Sequence, residues 1–312
     1  MWQSRFVMET APVAALVFLF GLAVGSFLNV CIRRIPAGAS IVTPASRCPS
    51  CGTPIKPYDN IPVLSYLLLR GECRACGQRI SPLYPAVELL TALLFLACLL
   101  NFELTLEGLK WTLLCCLILV LFFTDILERI LPDKVNLLGL AVGLIFSLIV
   151  PIGDWSALWL SGKLFDFPPP VAVVSLVDAV LGATLISLPL WGFGAVFSRI
   201  IGRPALGFGD VKMMMMVGAF LGVKRTFLTL LAGTLLGSLI GLLAVVILFV
   251  AGWKGPVALR ARRRGLGKST AGLRWALARR YQLPLGTFLG VGAIFAVFYG
   301  TPVLEWYAHL FG

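Results

Sequence analysis

Along its 312 residues the chain alternates long apolar runs with short polar joints. The apolar runs cover 12–31, 85–100, 109–123, 135–150, 171–197, 211–223, 226–251 and 283–311. A helix needs about 20 apolar residues to cross a bilayer. The pattern therefore predicts an all-α polytopic membrane protein with about eight transmembrane helices. The shortest runs, 109–123 and 211–223, are expected to extend into the polar residues that flank them. One polar joint stands apart by its length: 37–82 is rich in proline and glycine. It is too short to bury much of a core and needs a staple to hold one fold. The chain thus divides into a first helix and its exit (1–36), a loop domain (37–82) and a membrane core (83–312), with a basic stretch at 252–282 inside the last.

Composition agrees with the pattern, since 59% of the residues are hydrophobic, which excludes a soluble domain. The segment 1–36 has the outline of a signal peptide, but Arg33 and Arg34 close its apolar run and no small-residue cleavage site follows. It is read as a retained helix. The net charge of +12 does not point to nucleic acid, because the basic residues sit in the joints, where they orient the protein and attract anionic membrane lipids. With eight spans and the N-terminus outside, the inner segments 32–84, 124–134, 198–212 and 252–282 hold 21 of the 26 Lys and Arg residues. The positive-inside rule then places both termini outside and the loop domain inside. The stretch 252–282, with nine basic residues and Trp275, reads as a membrane-surface segment.

The staple for the loop is visible. Cys48-Pro49-Ser50-Cys51 and Cys73-Arg74-Ala75-Cys76 are two C-x-x-C pairs separated by 21 residues, each followed by glycine (Gly52, Gly77). Four thiolates at this spacing suit a structural zinc ion, and the reducing inner side argues against disulfides. A redox pair or an iron site are the other readings. A closed four-cysteine site has no open position, so its task is to fold the loop.

The candidate chemistry lies in two acidic residues at apolar boundaries. Gly207-Phe208-Gly209-Asp210-Val211-Lys212 sets a carboxylate at the mouth of an apolar run, after two glycines that permit close approach of backbone or substrate. Asp125 closes the run 117–124, and loop charge puts it on the same side as Asp210. Two such carboxylates brought together would share a proton, one acting as general base on water and the other protonating the carbonyl or leaving amine. The plainer reading is that each only caps or flanks a helix. Asp133, after Pro132, is expected to N-cap the helix that follows, and a role in orienting Asp125 is a weaker option. Asp178 is read as structural, Glu88 as a first-turn acid or a contact between helices, and the run Met213–Met216 as packing. A transporter with boundary carboxylates, and a membrane-anchored zinc scaffold, are the rival classes.

Taken together these residues resemble the type IV prepilin peptidases, membrane proteases with a Gly-x-Gly-Asp motif. The resemblance is carried by Gly25-Ser26-Phe27-Leu28-Asn29-Val30 with Arg34-Ile35-Pro36, and by the two cysteine pairs. Tyr84-Pro85 with Glu88-Leu89-Leu90-Thr91, Thr124-Asp125 with Leu131-Pro132-Asp133, and Gly207–Lys212 continue it. Leu283–Leu289 resembles the final-helix motif, with Thr287 where many members have proline. The resemblance implies a bifunctional enzyme of the bacterial inner membrane. It would cut the leader from type IV prepilins or type II secretion pseudopilins at the cytoplasmic face, then methylate the new N-terminal residue with S-adenosylmethionine. Asp125 and Asp210 carry over as the catalytic pair, with Gly207, Gly209, Asp133 and Lys212 in support.

Overall fold

The computed structural model describes residues 2–153, 170–202, 206–250 and 284–311; the basic stretch 252–282 lies outside them. Among the described residues there are nine α-helices, besides one short 3-10 helix at Pro57–Asp59: α1 (Trp2–Arg34), α2 (Leu64–Leu68), α3 (Leu83–Phe102), α4 (Leu106–Glu128), α5 (Asp133–Ile149), α6 (Val171–Leu185), α7 (Ser187–Ile201), α8 (Phe208–Val250) and α9 (Leu285–Phe311). No strand is formed there, only two isolated bridges in the cysteine loop.

The helices end where local chemistry dictates. Thr105 N-caps α4 by accepting the Gly108 N–H at 3.0 Å, and Arg129 closes that helix in the left-handed region at φ 57°. Asp133 does not act as the N-cap of α5: Pro132 holds that position, and Asp133 is the first helical residue.

Helix α4 is the axis of the molecule. Trp111, Leu114, Cys115, Ile118, Leu119 and Leu121 on it are all buried. One side of it meets the pair α1–α3, and the other meets α5, α8 and α9. The methionine run packs as expected, with Met213, Met214 and Met216 fully buried. Asp178 is buried on α6.

Helix α8 hides a reversal. Gly222 has φ 75° and ψ −172°, a break inside what is otherwise continuous helix. The limb 208–221 leads away from Asp210, with Phe220 against Gly143 of α5. The limb 223–250 comes back along α9: Arg225 lies against Gly300, Gly233 against Leu289, and Gly237 against Phe288. Since α9 starts beside Asp125, the return limb heads toward the aspartate end.

Six described helical stretches are long and apolar enough to cross a membrane: Ala11–Arg34, Leu83–Phe102, Leu106–Glu128, Val171–Ile201, Phe208–Leu243 and Leu285–Leu310. The sequence pattern counts about eight, and the difference has two sources. Helix α5 has only 17 residues, and the runs 211–223 and 226–251, which form the two limbs on either side of the Gly222 reversal, fall within the single stretch Phe208–Leu243.

Candidate active site and metal centre

Asp125 and Asp210 come from different helices and meet at one end of the bundle. Asp125 is in the last turn of α4 and Asp210 in the first turn of α8. Both are buried, and they lie within electrostatic reach of one another. Asp125 is gripped from a third helix. Its Oδ2 accepts the Thr287 N–H at 2.7 Å and the Thr287 hydroxyl at 3.0 Å.

The glycines of this site provide space. A Cβ on Gly207 would sit 3.0 Å from the Asp210 carboxylate, so Gly207 leaves room for that side chain. A Cβ on Gly209 would meet Leu131 at 2.9 Å, and one on Gly286 would meet Leu131 at 2.8 Å and Asp125 Oδ2 at 3.0 Å. Leu131 is therefore wedged between the two glycines, against the mouth of the pair. The Asp210 N–H donates to the Gly207 carbonyl at 3.1 Å, a local turn that fixes the start of α8.

Asp133 and Lys212 pair with each other. Lys212 Nζ donates to Asp133 Oδ2 at 2.6 Å, clamping the start of α5 to the start of α8. Asp133 makes no hydrogen bond to Asp125 among the described residues, so its service to the site is to hold two helix starts together. Glu88 lies beyond the first turn of α3 and makes the contact between helices that was the other reading, reaching Ser26 of α1. Its Oε2 accepts the Val63 N–H at 2.8 Å, tying the cysteine loop to α3, while Asn29 of α1 donates to the Tyr84 carbonyl at 3.0 Å.

The loop gathers the four cysteines. Their sulfurs all lie within 4.8 Å of one another, with Cys48 and Cys76 Sγ 3.9 Å apart. Zinc bound to four thiolates at about 2.3 Å requires sulfurs about 3.8 Å apart, so the cluster fits a tetrahedral ion. The two knuckles repeat one design. Gly52 N–H donates to the Cys48 carbonyl and Gly77 N–H to the Cys73 carbonyl, both at 2.9 Å. Both glycines have positive φ, which explains the glycine after each pair. Hydrogen bonding from Thr53 draws the Cys51 thiol down to about 6, favouring a thiolate at neutral pH. Arg74, inside the second pair, grips Asp59 with three contacts of 2.6–3.0 Å and holds its carboxyl below the usual range.

Comparison with known proteins fits this division. The bacterial Peptidase A24 N-terminal domain matches residues 19–102. The Type IV leader peptidase family matches residues 112–242, which carry both aspartates. The prepilin leader peptidase/N-methyltransferase of Aeromonas hydrophila is 32% identical over 94% of this chain and 93% of its own length. The chain belongs to the type IV leader peptidase family. The protein of the same name from Bacillus subtilis is 30% identical over 94% of this chain and 97% of its own. That of Myxococcus xanthus is 39% identical over 78% of this chain, a match that spans 65% of the Myxococcus protein. No solved structure matches the chain. Membership makes this leader peptidase relative a multi-pass membrane enzyme and leaves the transporter reading without support.

The two aspartates expected to converge lie at one end of the bundle, and the four cysteines grouped by spacing are gathered in the loop. The grip of Thr287 on Asp125 was not anticipated, although Thr287 stands inside a quoted motif.

Proposed function

We propose that the protein is an aspartic endopeptidase that removes the leader of type IV prepilins or pseudopilins at the cytoplasmic face of the bacterial inner membrane. The observation that carries this is the meeting of two buried carboxyls, Asp125 and Asp210, at one end of an apolar bundle. One aspartate takes a proton from water as its oxygen adds to the scissile carbonyl carbon. The other gives a proton to the carbonyl oxygen, and the C–N bond then breaks as the amine is protonated. Gly207 and Gly209 give the carboxyl and Leu131 their places, and the Asp133–Lys212 pair fixes the helices that carry the site. A substrate helix still held in the bilayer would reach such a pair by lateral approach, its basic leader on the inner side.

Cys48, Cys51, Cys73 and Cys76 hold zinc in this reading. The ion cross-links the loop 37–82, which Glu88 then secures to α3. The relatives' name adds methyl transfer to the new N-terminal amine, and S-adenosylmethionine is the donor that chemistry calls for. Substrate pilins and lipids are the partners, and both termini face the periplasm.

The test is mass spectrometry of a type IV prepilin co-expressed with the protein in a host lacking such a peptidase. The wild type should yield a shortened, N-methylated mature chain. Asp125→Asn and Asp210→Asn should each slow cleavage by at least about 100-fold, the scale of a lost acid or base. If both variants process the prepilin at the wild-type rate, the aspartic reading fails.

A further inference from the structure

Helix α9 begins at Leu285, beyond the 112–242 segment recognised as leader peptidase, yet it supplies the hydrogen bonds that hold Asp125. Thr287 is its third residue, and its N–H is among the first four amides that find no partner inside their own helix. That N–H and the Thr287 hydroxyl both donate to the same oxygen, Oδ2, at 2.7 and 3.0 Å. A carboxylate oxygen offers two lone pairs, so these donors engage both.

The surroundings of the two aspartates differ. Asp125 lies in the last turn of α4, where the helix dipole disfavours an anion, and the start of α9 set against it supplies the opposing dipole. Asp210 stands in the first turn of α8, whose dipole favours an anion. Among the described residues, however, its carboxyl has no hydrogen-bond donor like the pair that Thr287 gives Asp125; burial and the nearby Asp125 charge act on it instead.

We propose that Thr287 is a positioning residue of the peptidase site. It holds Asp125 by Oδ2 and leaves Oδ1 to take the proton from the attacking water. Asp125 is then the base of the pair, and Asp210 carries the proton that passes to the scissile carbonyl oxygen. This rests on the aspartic endopeptidase reading above. Because the N–H contact belongs to the backbone, the hydroxyl is the part that substitution can remove cleanly.

The experiment uses the full-length protein in phospholipid vesicles with a full-length type IV prepilin as the probe. It compares Thr287→Val, which keeps the shape and loses the hydroxyl, with Thr287→Ser, which keeps the hydroxyl. A hydrogen bond to a charged group is worth roughly 10- to 100-fold in rate. Thr287→Val should lower kcat by that factor with KM within about twofold, and its melting temperature should stay at the wild-type value. Thr287→Ser should restore kcat to within a few-fold. Wild-type kcat in Thr287→Val overturns the proposal. So does a loss of activity that tracks a fall in melting temperature, or a rise in KM alone, since either reports a structural or binding role. Asp125→Asn run beside them separates the two claims. If it cleaves normally the aspartic reading itself is wrong; if it is dead while Thr287→Val is normal, only the role of Thr287 is lost.

Discussion

The same five residues, Gly-Leu-Ala-Val-Gly, occur twice, at 21–25 on α1 and at 139–143 on α5, and the molecule uses them in two different ways. On α1 the glycines admit a backbone: a Cβ on Gly21 would sit 2.7 Å from Ala92 Cα, and one on Gly25 would sit 2.6 Å from Glu88 Cα. On α5 they admit side chains. A Cβ on Gly139 would fall on Met216 Sδ, and one on Gly143 would sit 2.7 Å from the Phe220 ring. The first arrangement presses α1 and α3 together at the closest range, as small residues at four-residue spacing allow inside a membrane. The second lets α8 seat knobs into α5. A glycine motif thus says that something comes close without saying what. The tight pair α1–α3 carries the cysteine loop, whereas the knob-in-hole bundle carries the aspartates.

The largest expected effect separates these two halves. Structural zinc contributes about 10–16 kcal/mol to folding a small site, and the loop has almost no core of its own. If the four cysteines hold zinc as proposed, removing it with a chelator, or replacing Cys48 by serine, should therefore make residues 46–80 sensitive to limited proteolysis. Helices α4, α8 and α9 should stay protected in the same sample. If the aspartate-bearing helices lose protection together with the loop, the two halves are one cooperative unit and the comparison breaks.

Next comes Gly25→Ala. The new methyl meets backbone at Glu88 Cα, which cannot rotate away, so α1 and α3 must separate. A cost of about 3 kcal/mol, the upper end of ordinary overpacking, is expected, with alanine's better helix propensity returning less than about 1 kcal/mol. The displacement falls on the residue whose carboxylate accepts the Val63 N–H. The loop should therefore loosen while its metal stays bound. Thermal melting and proteolysis of the metal-loaded variant check this, and an unchanged loop would show that Glu88 is not the link between loop and membrane.

How much of this was legible in the sequence follows from the range of each interaction. The two C-x-x-C-Gly knuckles are local, and their spacing alone points to the sulfur cluster. Asp125 and Asp210 were paired across 85 positions because loop charge placed both at one end, an argument from the membrane and not from packing. The tie from Glu88 to Val63 joins residues 25 apart, and that from Thr287 to Asp125 spans 162; no periodicity reports such contacts. Asp133 was expected as an N-cap because local rules favour aspartate there, but a lysine 79 residues away took its carboxylate. Gly207 and Gly209, read as permitting close approach of backbone or substrate, clear space for Asp210's own carboxyl and for Leu131. The reversal at Gly222 falls two residues before Lys224-Arg225, the joint at which the pattern already separates the runs 211–223 and 226–251.

The smallest effect is the sharpest test of the comparison, because it uses the second copy of the same pentapeptide. Gly139→Ala puts a methyl onto Met216 Sδ, with Met216 Cγ 2.8 Å and Leu117 Cδ1 3.0 Å away. Every one of these atoms belongs to a side chain. Methionine has three rotatable bonds and adapts to irregular space, so the collision can be relieved without moving a helix. Overpacking still costs something, because Met216 is fully buried, but the gain in helix propensity on replacing glycine works against it. The net change should stay under about 1.5 kcal/mol, below that of Gly25→Ala, with prepilin cleavage retained. Equal losses of melting temperature at the two positions would mean that the α5–α8 contact is as rigid as the backbone contact of α1 with α3. The distinction between a glycine that receives a helix and one that receives a side chain would then have no energetic meaning in this protein.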